Sequence, residues 1–442
     1  MKKQIHLHLL AGLVAFLAMG SAGLTQGIQV ERTVTVGKNV PDGSGQLISA
    51  TTWLNSGIGS VSWVGSTLTF SSPFSNNPIV KSDLSGTLTF GSSSETPVTS
   101  TVFSAGQLTS LTQQFTMADA FDAAWKSSGL WTLKIRDTKA GGVAALDSWK
   151  LVVEGTSTAA GTTMDLGNGG IVRVASSGTS GTISANVSTG SAGNTATMEA
   201  ASTKTLEVTG GISGAGGLSK LGLGTLLLTG STANTFTGVA SVDAGTLKLQ
   251  KTGGVAAISA GTIAINGGTL LLGAANQISD STAVTLAGGT LNTDGFADRV
   301  GKLTVSANSA ISGLVTSSGG GVATNSDFLF SGVDLNSYAT SSGSTVNLGG
   351  GYSYQSTINF SSSNYTGWSG YSTTSINNFA DKVQFGNTGM KAQIAFNGTT
   401  GLTYITAIPE PKVYVAIGIL CALVGWTEYR RRRCEKKAAA RI

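Results

Sequence analysis

Gly-Thr followed by an aliphatic residue recurs at Gly224-Thr225-Leu226, Gly245-Thr246-Leu247, Gly268-Thr269-Leu270 and Gly289-Thr290-Leu291. The spacings are 21, 23 and 21 residues, and an extra copy, Gly261-Thr262-Ile263, stands seven residues before the third. A fixed period near 20 matches one turn of a parallel β-helix. Each unit offers a turn at its glycine and a short apolar run, such as Leu226-Leu227-Leu228 or Leu247-Lys248-Leu249. One such unit cannot bury its inner face alone, so stacking on its neighbours is what makes it stable. A sandwich of unrelated strands is the alternative that this spacing leaves open. The Gly/Ser/Thr/Ala-rich stretch from 159 to 408 is expected to be the solenoid.

The stretch ahead of it reads differently. Five of the seven tryptophans, Trp53, Trp63, Trp125, Trp131 and Trp149, fall between 41 and 155. Ser66–Phe70, Gly86–Phe90, Trp131–Ile135 and Trp149–Val153 each alternate polar and apolar residues. That is the period of half-buried strands. Gly141-Gly142 suits a turn, and residues 117–127, with Phe121 and Trp125 four apart, suit one short helix. A β-sandwich over 36–155 is the simplest architecture, with Trp131 and Trp149 in its core or, less simply, on a binding patch.

Residue counts exclude much chemistry. The two histidines are His6 and His8, and the two cysteines are Cys421 and Cys434. Residues 24–411 therefore hold no imidazole and no thiol. That stretch can supply neither a Ser-His-Asp nor a Cys-His nucleophile, nor His or Cys ligands for zinc or haem. Ten of the 27 Lys and Arg, but two of the 22 Asp and Glu, lie before residue 24 or after 411. The body is slightly acidic, so nothing supports binding to nucleic acid by phosphate neutralisation.

The ends carry addresses. Lys2 and Lys3 precede the apolar run Leu9–Met19 and then Gly20-Ser21-Ala22-Gly23. This is the order of a secretory signal over residues 1–23, with an uncleaved anchor as the alternative. At the other end, Pro409-Glu410-Pro411 is followed by the apolar stretch 413–426 and by Arg430, Arg431, Arg432 and Arg433. The run is short for a span, and the arginines would stay on the cytoplasmic side. Residues 409–434 resemble the PEP-CTERM sorting signal. The resemblance implies a short transmembrane helix that anchors the chain in the inner membrane, an exosortase as processing partner, and then delivery to the cell surface or beyond; an ordinary tail anchor is the alternative.

Two further resemblances bear on the body. Val40-Pro41-Asp42, Trp63-Val64-Gly65, Ser72-Pro73 and the run Gly129, Trp131, Leu133, Asp137, Gly141, Leu146, Trp149 resemble the P/Homo B domain of proprotein convertases. It implies a jelly-roll-like sandwich and, in some members, calcium. Gly142, Ser66-Thr67 and Phe74-Ser75 stand where that family has other residues, so no calcium ligand is carried over and no cofactor is expected. Gly216–Gly230, with Asn234–Gly238 and Ala244–Leu247, resembles the autotransporter-associated β-strand (passenger-associated) repeat. It implies an exported stem, here without the closing membrane barrel.

The chain is thus expected to be all-β: a jelly-roll-like β-sandwich, a parallel β-helix and a short C-terminal transmembrane helix. Its expected role is a non-catalytic structural or adhesive protein of the cell surface or matrix. An accessory to a secreted subtilisin-like serine protease, acting through the P-like domain, is one alternative. A carbohydrate-binding solenoid that contacts surface polysaccharide is another. Asn234 or Asn276 could form polar ladders between turns or simply occupy bends. Asp280, Asp294 and Asp298 are too scattered for a calcium repeat. The Tyr-rich segment 352–368 is a candidate sugar-contacting surface, with edge strands as the plainer expectation.

Overall fold

The computed structural model describes residues 27–41, 47–55, 58–71, 83–91, 98–116, 128–139, 144–157, 163–167, 169–175, 178–307 and 309–313. Beyond these it describes short strands between 328 and 409, and Arg431. The expected signal peptide, the helix at 117–127, the Gly141-Gly142 turn and the apolar stretch 413–426 lie outside the described residues. The fold is all-β and contains a parallel β-solenoid of about 7 turns. The chain divides into two compact units, Met1–Thr282 and Ala283–Ile442.

The first unit opens with eight long antiparallel strands: β1 (Gly27–Val40), β2 (Leu47–Asn55), β3 (Ile58–Ser71), β4 (Leu84–Gly91), β5 (Val98–Phe103), β6 (Thr112–Thr116), β7 (Ser128–Asp137) and β8 (Ala144–Ser157). The first strand reaches back to Gly27, ahead of the boundary expected at 36. Hydrogen bonding orders them β1-β8-β3-β6 in one sheet and β2-β7-β4-β5 in the other. The period-2 pattern has the physical effect expected of it. Leu68, Leu88, Trp131, Leu133, Ile135, Trp149 and Leu151 are all buried. Trp131 packs on Phe90 with ring centroids 4.9 Å apart, and Phe103 stacks on Phe115 at the same distance.

The solenoid follows directly. Its first turn is β9 (Thr163–Asp165), β10 (Ile171–Val174) and β11 (Ser180–Ile183). The second is β12 (Asn186–Ser188), β13 (Thr195–Glu199) and β14 (Thr205–Val208), and the third β15 (Ile212–Ser213), β16 (Gly217–Leu221) and β17 (Thr225–Leu228). The fourth has β18 (Ala240–Val242) and β19 (Thr246–Leu249), and the fifth β20 (Thr262–Ile265) and β21 (Thr269–Leu272). Each strand pairs in parallel with its counterpart one turn away. Stacking is in register, so Leu206, Leu226, Leu247 and Leu270 form one buried column and Val208, Leu228, Leu249 and Leu272 a second.

The second unit contains β22 (Ala283–Leu286), β23 (Thr290–Asn292), β24 (Asp298–Val305), β25 (Ser309–Ser312), β26 (Phe328–Val333), β27 (Val346–Leu348), β28 (Thr357–Phe360) and β29 (Val383–Gln384). The pairs β22-β24-β26-β28 and β23-β25-β27-β29 are again parallel. It closes with an antiparallel pair, β30 (Met390–Asn397) and β31 (Leu402–Pro409).

Candidate functional site: the interior ties and outer faces of the solenoid

The repeat residues sit where neighbouring turns come closest. A Cβ on Gly224 would strike the carbonyl oxygens of Ala201 and Lys204, and one on Gly245 those of Gly222 and Gly224. Thr225 and Thr246 stack in register between Thr205 and Thr269 on the outward side, half-exposed. Leu226 and Leu247 are fully buried beneath them. The Gly-Thr-Leu triplet therefore encodes a backbone contact, an outward hydroxyl row and an inward apolar column.

The interior is not wholly apolar. Several of its buried polar side chains bond to backbone about one turn away, which satisfies groups that would otherwise be costly to bury. Asn234 accepts from the Ile212 N–H at 2.9 Å and donates to the Ala257 carbonyl at 2.7 Å. Thr282 donates to Ala260 O at 2.6 Å, and Gln277 both accepts from Lys251 N and donates to Lys251 O. Asn276, in contrast, is exposed with φ 54° and occupies a bend. Of the two asparagines considered, Asn234 ties turns together and Asn276 does not.

Two lysines point into this interior. Lys220 is 0 % exposed, and its ammonium donates to the carbonyls of Leu221, Gly222 and Ala244 at 2.8, 2.7 and 3.1 Å. Lys251 is 2 % exposed and donates to Thr229 O at 2.7 Å and Gly210 O at 3.1 Å. Burial pushes both pKa values down to about 8, with Glu199 pulling that of Lys220 partly back. The signal for Lys220 was present in the sequence: strand alternation from Leu218 places position 220 inward. The alternation of Leu247 and Leu249 likewise continues inward at Lys251, just past the end of β19.

The outward faces mix hydroxyl rows with exposed apolar side chains such as Leu223 and Val239. On one, Thr197, Ser219, Ser241 and Ala264 stand in register. The Asp243 carboxylate accepts from Ser219, Ser241 and Asn266 at 2.9, 2.8 and 2.7 Å. Burial would raise its pKa, but these hydrogen bonds outweigh burial and hold it below the ordinary carboxylate value. Nearer the antiparallel module, Arg173 bridges Glu31 and Glu199, and Lys150 reaches Glu31 at 3.5 Å. Among the described residues, no three His, Cys, Asp or Glu side chains are grouped so as to hold a metal ion.

The P-like residues are structural in position. Gly129 lies against the Phe90 ring, leaving no space for a Cβ. Trp131, Leu133, Leu146 and Trp149 are buried, so neither tryptophan forms a surface patch. The Trp149 indole donates to Ser66 Oγ at 2.9 Å, one of the residues that departs from the family pattern. Asp137 is 3 % exposed and accepts from the Lys139 N–H. Gly141 lies outside the described residues. So do Glu410, Pro411, Arg430, Arg432 and Arg433; Pro409 ends β31, and Arg431 is exposed. Of the segment 352–368, only β28 is described. Asp280 and Asp294 are exposed, whereas Asp298 is buried.

Replacing Asn234 tests the interior ties. Asn234→Leu leaves a buried N–H and a buried C=O without the partners they have now. The expected loss is about 2 kcal/mol, read as a lowered urea midpoint by far-ultraviolet circular dichroism. A midpoint equal to that of the parent would show that the ties carry no net stability.

No protein-family model matches the chain, and no curated protein matches it.

Proposed function

We propose that this is an exported, non-catalytic structural or adhesive protein of the cell surface or extracellular matrix. One observation carries the reading: an in-register parallel stack whose interior is filled by packed side chains and whose outward positions repeat from turn to turn, among them the row Thr205, Thr225, Thr246 and Thr269. Such a stack is a rigid spacer that presents a repeating surface. The module ahead of it is read as a jelly-roll-like sandwich. The strand orders β1-β8-β3-β6 and β2-β7-β4-β5, all antiparallel, support that reading, because two such four-stranded sheets built from eight strands make up a jelly roll. Pro409, Glu410, Pro411 and the four arginines would direct sorting, with 413–426 as the membrane helix and an exosortase-type enzyme as partner.

A carbohydrate-binding role is the second reading, favoured by the Ser219–Ser241–Asp243–Asn266 hydroxyl and carboxylate cluster on an outward face. Docking on a secreted serine protease is the third, and it rests on the strand order and the P-like motif. Mass spectrometry of both termini of the native protein tests the leading reading. The expected result is an N-terminus between residues 21 and 24 and a C-terminus near Pro411. A chain still ending at Ile442 would overturn the sorting step. Labelling by a serine-directed fluorophosphonate would overturn the non-catalytic role. Retention on a surface polysaccharide, lost on Asp243→Ala, would favour the second reading.

A further inference from the structure

The first strand belongs to two structures at once. Residues Ile28 to Glu31 pair antiparallel with Val152 to Gly155 of β8 on one side and with Ile171 to Val174 of β10 on the other. Val30 thus lies between Val153 and Val172, and all three are buried. Side chains repeat the pattern. Gln29 donates to Glu154 at 2.6 Å, while Glu31 holds Lys150 of β8 and Arg173 of β10. Arg32, 7 % exposed, donates to Gly167 O at 2.7 Å in the first solenoid turn. The Ala175 N–H donates to Gly27 O, and Gly181 at the start of β11 abuts Gly27 and Ile28.

This arrangement covers the strand edge that the first solenoid turn would otherwise expose. A bare parallel edge is a template for association, and stacked repeats need a terminal cap. Here the cap is part of the antiparallel module's own sheet. The partners are distant in sequence: Glu31 and Arg173 are 142 residues apart, and Arg32 and Gly167 are 135. Closing such long loops costs entropy before any contact repays it.

We propose that β1 is a latch that makes the antiparallel module and the first solenoid turn one cooperative unit, which cannot close until the chain as far as β10 is available. Synthesised first, β1 waits for both β8 and β10. Later turns then add one by one on a completed end. The device holds whatever surface the protein is delivered to.

Hydrogen exchange followed by mass spectrometry on the full chain tests this. Leu68→Ala opens a cavity in β3, three strands from β10 in the same sheet order. The latch requires exchange in 171–174 to accelerate by the same factor as in 149–155, about tenfold or more. Leu249→Ala, in the fourth turn, should leave 149–155 at the parent's rate. Unchanged protection at 171–174 in Leu68→Ala would overturn the proposal. If Leu68→Ala fails to fold, the parent decides. At alkaline pH, where every opening leads to exchange, peptides 27–40, 144–157 and 163–175 should share one opening rate. Separate rates would overturn the latch.

Discussion

Gly245→Ala is expected to lower the stability of the first unit by about 3 kcal/mol or more, as judged from the strained backbone and the clash combined. Gly245 adopts φ 62°, a conformation that L side chains occupy at a cost. Its absent Cβ also faces backbone, not side chain: the Gly222 and Gly224 carbonyls and the Leu223 carbonyl carbon crowd the position. That backbone cannot swing away cheaply, because Gly224 O accepts from Thr246 N at 3.0 Å and Gly224 N donates to Ala200 O at 2.8 Å. Gly261→Ala is the contrasting case. Gly261 starts an identical-looking Gly-Thr-Ile triplet, yet nothing lies within 4 Å of its would-be Cβ. There the substitution should be neutral or stabilise by about 0.5 kcal/mol, through a less flexible unfolded chain. Paired urea titrations followed by far-ultraviolet circular dichroism check both. Equal midpoints for the two variants would mean that turn-to-turn approach does not explain the recurring glycine.

The same pair of glycines shows how far the sequence could be read. Period and alternation are one-dimensional signals, and they carried over where the structure is itself nearly one-dimensional. The 21- and 23-residue steps became stacked turns, and Leu226, Leu228, Leu247 and Leu249 all point inward. Gly261 broke the pattern because its triplet begins β20, on a different face from β17, β19 and β21. A triplet alone does not say which corner it marks. Asn234 and Asn276 were equivalent on paper, since any asparagine can bend a chain or bridge two turns. Only the lateral neighbours one turn away, Ile212 and Ala257, separate them. Residues 27–35 of β1 escaped the expected module boundary for a similar reason. The two partner strands lie more than a hundred residues downstream, beyond the reach of any local pattern.

Raising the pH should stabilise the solenoid, and the two interior lysines should be responsible. Each is surrounded by carbonyl oxygens, but none of its neighbours supplies a full compensating charge at contact distance. The ammonium loses more by leaving water than the carbonyls return, so the pKa falls to about 8 from an ordinary 10.5. Between those two values the unfolded chain holds a proton that the folded chain has released. Unfolding then takes up protons, and stability rises with pH across the window. Below about pH 8 both states are protonated and the full penalty of burying the charge is present. Each lysine accounts for on the order of 3 kcal/mol over the window. Lys220→Met keeps the apolar stem and removes the charge, and exchanging a buried charge for a well-fitting apolar side chain is often neutral or favourable. The variant should match or exceed the parent at pH 7 and fall level with it or below by pH 10.5, where the parent's lysine is neutral. Lys220→Met with Lys251→Met should remove most of the rise. All other titratable groups are common to parent and variant and cancel in the difference. Urea midpoints at pH 7, 8.5 and 10.5 decide the matter. Parallel pH curves for parent and double variant would show that both ammonium groups keep their ordinary affinity for protons, and that the carbonyl cradles at the solenoid corners solvate them as well as water does.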